Sequence, residues 1–309
     1  MQLLNRLGYA DSKVFQYLQQ KLSSTSQSDE ILTVIAQLIR YNTLLSVARA
    51  GTGHLGASLS TIELLTEIYF RSFNLAPQNL KSKDRDIFIL SKGHASLALY
   101  VVLNYLKKIS NKDLDTYFSE GTEFGIHTPS TRPNDIPVAT GSLGHGLSFA
   151  VGIAKAFKFL KATNSTYAVV SGALRRVYCL MSDGECNEGA VWEAAQFASS
   201  HKLSNLTALI DRNRLQAFGK TKDVLGDAAS VSKWKAFGFN VIVCDGHNLS
   251  QIEGAFSRMK KIKSSKPNMI ICNTIRGKGI RAIEGKVESN YTAMVGESYK
   301  QALEDIKRL

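Results

Sequence analysis

Two hydrophobic periods divide this chain, and the change between them marks its architecture. In "EILTVIAQLIRYNTLLSVARA", Ile31, Val34, Ile35, Leu38 and Ile39 recur at helical spacing, with Asp29 placed to cap the first turn. "STIELLTEIYFRSF" reads as a second helix. From residue 86 the pattern shortens to apolar runs that end in polar, glycine-rich turns: "DIFIL" before "SKGH", "VYCLM" before "SDGE", "LTALI" before "DRN", "VIVC" before "DGHN" and "MIIC" before "NTIRGKG". Helical segments separate most of them. Runs of this kind predict buried parallel strands with crossover helices, hence an α/β fold with a doubly wound, mainly parallel sheet. All five turns then collect at the carboxyl edge of the sheet, where such folds bind ligands.

Between the first two helices lies "GTGHLG", residues 51–56, which has the G-x-G-x-x-G spacing of a dinucleotide-binding turn. That turn requires a strand before it, and here a helix comes first, so the dinucleotide reading fails. Residues 1–29 end in the polar "SSTSQSDE" and read as a helical arm and linker, which leaves 30–309 as the main domain. No apolar run approaches the roughly 20 residues of a membrane-spanning helix. Charge interrupts the N-terminus before a signal core could form, so a cytoplasmic location is expected. Cys179, Cys186, Cys244 and Cys272 show neither C-x-x-C nor zinc spacing and read as buried free thiols. The net charge of +12 comes from scattered residues, and its densest group, "RMKKIKSSK", reads as the solvated face of a helix. A nucleic-acid footprint needs basic residues gathered on one surface; small anions or an acidic partner fit this charge as well.

Chemistry concentrates in residues 177–219, "VYCLMSDGECNEGAVWEAAQFASSHKLSNLTALIDRNRLQAFG". Asp183 follows one strand and Asn213 the next, so a crossover helix around 188–201 brings the two oxygen donors side by side. A hard cation such as Mg²⁺ takes one or two protein side chains and completes its shell with phosphate and water. A carboxylate, an amide and Gly184, which lets the backbone approach closely, suit a metal-bridged diphosphate. Two ordinary strand-ending turns are the other reading of the same residues.

"SDGECNEG" followed by "DRNRLQAFG" resembles the thiamine diphosphate signature, G-D-G and then N-N, with Ser182 at the first Gly and Arg212 at the first Asn. Four further segments resemble transketolase in the same order: "GTGHLGASLSTIELL", "DRDIFILSKGHASLALY", "TGSLGHGLSFAVGIA" and "IRGKGI". The resemblance spans about residues 30–285 and covers only the family's diphosphate-binding half. It implies thiamine diphosphate and a divalent metal (Mg²⁺, or Ca²⁺ or Mn²⁺) as cofactors. Asp183 and Asn213 would ligate the metal through side chains and Leu215 through its carbonyl, while Gly184 and His94 would contact the diphosphate. Gly141, Ser142 and Leu143 would lie along the aminopyrimidine, His54 and His127 near the reacting carbon, and Glu188 at a subunit contact beside the cofactor. Imidazole suits such a place because it can donate and accept protons near neutral pH.

The chain departs from the family pattern at three points. The loop "FGIHTPS" replaces G-H-P around His127, and His145 stands where glutamine is usual, in a catalytic or a loop-packing role. Asn290 in "EGKVESNYTAM" falls at the histidine of a family W-H pair; an amide hydrogen-bonds but cannot shuttle a proton, so donor handling would differ. His247 in "DGHN" reads as a turn residue.

The glutamate that activates the cofactor in transketolase lies in a second domain, and only about thirty residues follow "GKGI". The resemblance therefore implies an N-terminal subunit with a separate C-terminal partner carrying the pyrimidine-binding domain, as a heterotetramer that transfers a two-carbon ketol unit between sugars or sugar phosphates. Two alternatives stay open: a 2-oxo acid donor, as in 1-deoxyxylulose 5-phosphate synthase or the 2-oxo acid dehydrogenases, and a non-catalytic cofactor-binding or regulatory protein.

Overall fold

The computed structural model describes residues 29–72, 85–132, 135–163, 169–170 and 173–308. Of the arm and linker expected at 1–29, residues 1–28 lie outside the described residues, and Asp29 belongs to the first helix. Five strands form one sheet: β1 (Ile87–Leu90), β2 (Val177–Ser182), β3 (Leu206–Arg212), β4 (Asn240–Asp245) and β5 (Asn268–Asn273). These are the five apolar runs of the sequence. The order is β1-β2-β3-β5-β4 and every neighbouring pair is parallel.

Alternation along the strands feeds two cores. Tyr178 and Leu180 of β2 face one core, Cys179 and Met181 the other, which is why the run reads as continuously apolar. The first core packs against helices α1 (Asp29–Ala50), α3 (Ile62–Glu67), α4 (Ser96–Tyr105), α8 (Leu249–Lys261) and α9 (Gly296–Lys307), with the short α2 (Leu55–Leu59) between α1 and α3. The second packs against α5 (His145–Ala162), α6 (Gly189–Ser200) and α7 (Val231–Ala236).

By length and composition α1, 22 residues, is apolar enough to cross a membrane, contrary to the sequence expectation. Its apolar character is explained by burial, since α3, α4, α8 and α9 all pack on it. Asp29 is the first residue of α1, and its carboxylate pairs with Arg71 at 2.6 Å. The basic group around 258–266 exposes Arg258, Lys260, Lys261, Lys263 and Lys266, as a solvated face should. All four cysteines are free and buried.

Candidate active site

A helix precedes GTGHLG in the fold as in the pattern, and His54 occupies the N-cap of α2. The Gly56 carbonyl accepts from the Gly277 N–H at 3.0 Å, which joins this loop to the IRGKG turn after β5. The His54 ring lies 5.6 Å from that of His94, 5.9 Å from that of His127 and 5.2 Å from that of Tyr291. Three histidines far apart in sequence thus form one cluster. His54 Nδ1 is buried without a hydrogen-bond partner. Burial first, then the nearby His127, Arg276 and Lys92, hold the His54 imidazole down at about 4, so it is neutral at neutral pH. His94 lies well below its ordinary value for the same leading reason, and burial lowers His127 too.

His94 reaches the cluster because Gly93 allows a close approach: a Cβ there would fall 2.5 Å from the Thr140 carbonyl carbon. The SKGH turn is thereby pressed onto the TGSLG loop, and Gly141 of that loop touches the His127 ring. Ser142 is exposed and Leu143 half-buried along the same wall.

The second part of the site lies at the ends of β2 and β3. Asp183, 1% exposed, accepts from the Gly184 N–H through Oδ1 at 3.0 Å. Its Oδ2 accepts from the Arg214 N–H at 2.8 Å and from the Thr221 hydroxyl at 3.0 Å. Asn213 Oδ1 accepts from the Leu215 N–H at 3.0 Å, while its Nδ2 donates to Asp211 at 3.2 Å. Burial, then the neighbouring Asp211, raise the Asp183 carboxyl to about 6. A buried carboxylate without a cation is the setting in which a metal is stabilising. Asp183, Asn213 and Leu215 line one cavity of about 660 Å³, together with Arg212, Arg214, Lys220 and Lys222. Oxygen donors within a basic rim fit a divalent cation and a polyphosphate. Among the described residues no three His, Cys, Asp or Glu side chains converge as a metal cage. At Gly184 an added Cβ would meet the Gln216 side chain at 2.8 Å, so the missing side chain leaves room for Gln216.

The remaining expected residues lie around these two parts. Glu188, the exposed N-cap of α6, lies against Gly144. His145 is exposed at the start of α5. Asn290 is 6% exposed in the turn Val287–Asn290, and its Oδ1 has no partner. His247 does more than complete a turn. Its Nε2 accepts from the Ile275 N–H at 2.8 Å, so Nδ1 carries the proton donated to Glu63 at 3.0 Å. Glu63 in turn pairs with Arg40, which donates to the Lys278 carbonyl, and the three side chains anchor the IRGKG turn.

Sequence reasoning passed over four residues. Lys92 and Asp211, both fully buried, form an ion pair beneath the histidine cluster. Asp211 also accepts from Ser60 at 2.7 Å and from Thr274. Arg276, 3% exposed, donates to the Gln216 carbonyl at 3.1 Å. Glu185 is fully buried, and burial raises its carboxyl above the usual range. The available signal was a charged residue at the end of an apolar run, which folding must bury and pair.

Residues 31–305 match the family model described as "Transketolase, thiamine diphosphate binding domain". The chain belongs to the transketolase family. It is 37% identical over 273 residues to the 6-deoxy-6-sulfo-D-fructose transketolase subunit SqwG of Clostridium sp. (strain MSTE9), covering 88% of this chain and 95% of that protein. It is 36% identical over 279 residues to an apulose-4-phosphate transketolase subunit from Actinobacillus succinogenes, covering 90% and 96%. The transketolase structure from Campylobacter jejuni superimposes with a TM-score of 0.79 at 30% identity, over 90% of this chain and 43% of that one. The chain therefore spans under half the length of that transketolase and nearly all of the two subunits. These relatives support an N-terminal subunit of a split transketolase-type transferase, and neither of the alternatives.

Proposed function

We propose that this chain, with a separate C-terminal subunit carrying the pyrimidine-binding domain, moves a two-carbon ketol unit from an anionic ketose to an aldose. The observation that carries the reading is the meeting of His54, His94 and His127 at one rim of the sheet whose next strand ends hold Asp183 and Asn213. Asp183, Asn213 and the Leu215 carbonyl would hold Mg²⁺ or a similar cation, and the basic rim the diphosphate of thiamine diphosphate. That cofactor supplies an electron sink for carbon–carbon bond cleavage. The protein's own part is to hold and to move protons. His54, neutral and lacking a partner at Nδ1, is able to accept a proton from a substrate hydroxyl or to donate a hydrogen bond to it. Asn290, at the position of a family histidine, offers an amide in place of a proton shuttle.

The relatives named for a sulfonated and a phosphorylated sugar support an anionic substrate. A heterotetramer in the cytoplasm, with cofactor between unlike subunits near Glu188, completes the proposal. Calorimetry on the paired subunits tests it: thiamine diphosphate with Mg²⁺ should bind, and Asp183→Ala should abolish that binding. Unchanged binding by the variant would refute the metal assignment. Ketol transfer by the pair with none from pyruvate is the expected activity, and transfer by the chain alone would overturn the two-subunit reading.

A further inference from the structure

Glu185 is a fully buried carboxylate that pairs with no cation among the described residues, and no step of the proposed reaction uses it. Its Oε1 accepts from the Ser91 hydroxyl and from the Gly144 N–H, the latter at 2.8 Å. Its Oε2 accepts from the Ser182 N–H at 3.2 Å, and its own N–H donates to the Ser182 hydroxyl at 3.2 Å. One side chain therefore binds three separate segments. Ser91 begins the turn that carries His94, Gly144 closes the TGSLG loop before α5, and Ser182 ends β2 next to Asp183. The same segments are in close contact elsewhere, since a Cβ on Gly146 would fall 2.6 Å from the Ser91 Cα. Burying a carboxylate with no ion-pair partner is costly, and its hydrogen bonds, helped by the charge of nearby Lys92, offset the loss of water. An apolar side chain would avoid that cost but leave the Ser91, Gly144 and Ser182 donors without an acceptor, so the carboxylate's reach to all three segments is what the fold gains.

We propose that Glu185 is a positioning residue that sets the spacing between the Gly141–Gly144 wall and the Asp183–Asn213 grip, and thereby the fit of the cofactor at both ends. This rests on the reading of the site as a thiamine diphosphate site. The gain is mechanical: the backbone of the TGSLG loop is held to the end of β2 through one rigid carboxylate.

Two variants separate reach from charge. Glu185→Gln keeps the length and an acceptor for Ser91 and Gly144 while losing the bond to Ser182; Glu185→Asp keeps the charge but is one methylene too short to bridge. In hydrogen exchange on the cofactor-free chain, Glu185→Asp should speed exchange of the Gly144 amide about tenfold or more and Glu185→Gln by only a fewfold, with exchange in β3 unchanged. In the paired enzyme with Mg²⁺, Glu185→Asp should weaken thiamine diphosphate about tenfold, and Glu185→Gln should restore most of that affinity. Equal behaviour of the two variants, or greater damage from Gln than from Asp, would overturn the proposal. If Glu185→Asp does not fold, Ser91→Ala, which removes one tie, should give a smaller acceleration at Gly144; no change there would overturn it as well. Should the wild-type pair bind no thiamine diphosphate, the proposed function fails, while the exchange result still decides the role of Glu185.

Discussion

Replacing Lys92 with methionine should uncover the cost of the charge beneath the histidine cluster. Methionine keeps most of the apolar stem and removes the ammonium, leaving Asp211 with neutral donors only: Ser60, Thr274 and the amide of Asn213. Both partners are 0% exposed, so water cannot replace the lysine without opening the core. Breaking such a pair from one side costs about 3–5 kcal/mol, and the three remaining donors place this case near the lower end, about 3 kcal/mol. For a chain of this size that is a fall in Tm of roughly 5 °C. The sign of the pH dependence follows from Asp211. In the wild type burial would raise its carboxyl, but Lys92 and the hydrogen bonds hold it below the ordinary value. Without Lys92 burial prevails and the carboxyl rises, so the deficit is full above the raised pKa and shrinks as falling pH protonates Asp211 in place. Urea unfolding followed by the fluorescence of Trp192 and Trp234, which pack together, at pH 8 and pH 5 measures it. Lys92→Met with Asp211→Asn should recover part of the loss. A deficit under about 1 kcal/mol, or one equal at both pH values, would refute the reasoning.

Two other outcomes are expected. His54, held at about 4 by burial and the neighbouring cations, should contribute no ionisation to kcat/KM between pH 5 and 8, and His54→Ala should lower kcat/KM by about 100-fold or more; a variant-sensitive step near pH 6.5 would contradict its neutral state. Burial would raise Glu63, but Arg40 and His247 hold it down at about 2. Its contribution, on the order of 3 kcal/mol, is therefore complete above about 4.5 and lost as pH falls towards 2. In acid unfolding curves Glu63→Gln should flatten that window, and an unchanged slope would show that the Arg40–Glu63–His247 anchor does not set acid stability.

The histidine cluster shows where the sequence was legible and where it stopped. His54, His94 and His127 stood out only because the segments around them resemble transketolase motifs; a lone histidine in a loop reads as an ordinary satisfied polar residue. Their meeting depends on Gly93 lying so close to Thr140 that an added Cβ would fall 2.5 Å from its carbonyl, a contact across 47 residues that no local pattern encodes. Asn290 stood out only by its place relative to "GKG", and its unpartnered Oδ1 became visible once the turn Val287–Asn290 was placed against α2. His247 looked like any turn residue because its partners, Glu63 and Ile275, come from distant parts of the chain.

By itself the sequence determined the strands, their parallel arrangement and the edge at which the chemistry gathers, because hydrophobic period and turn chemistry act over a few residues. It also determined which oxygen donors lie at neighbouring strand ends, since Asp183 and Asn213 are joined by a single crossover. Tertiary structure alone decided which charges are paired in the interior and which loops are tied together. Lys92 meets Asp211, and Glu185 meets Ser91 and Gly144, only after the sheet has brought separate strand ends within hydrogen-bond reach. Electrostatic and hydrogen-bond energies depend on distance in space and on exclusion of water, and neither quantity exists along a linear chain.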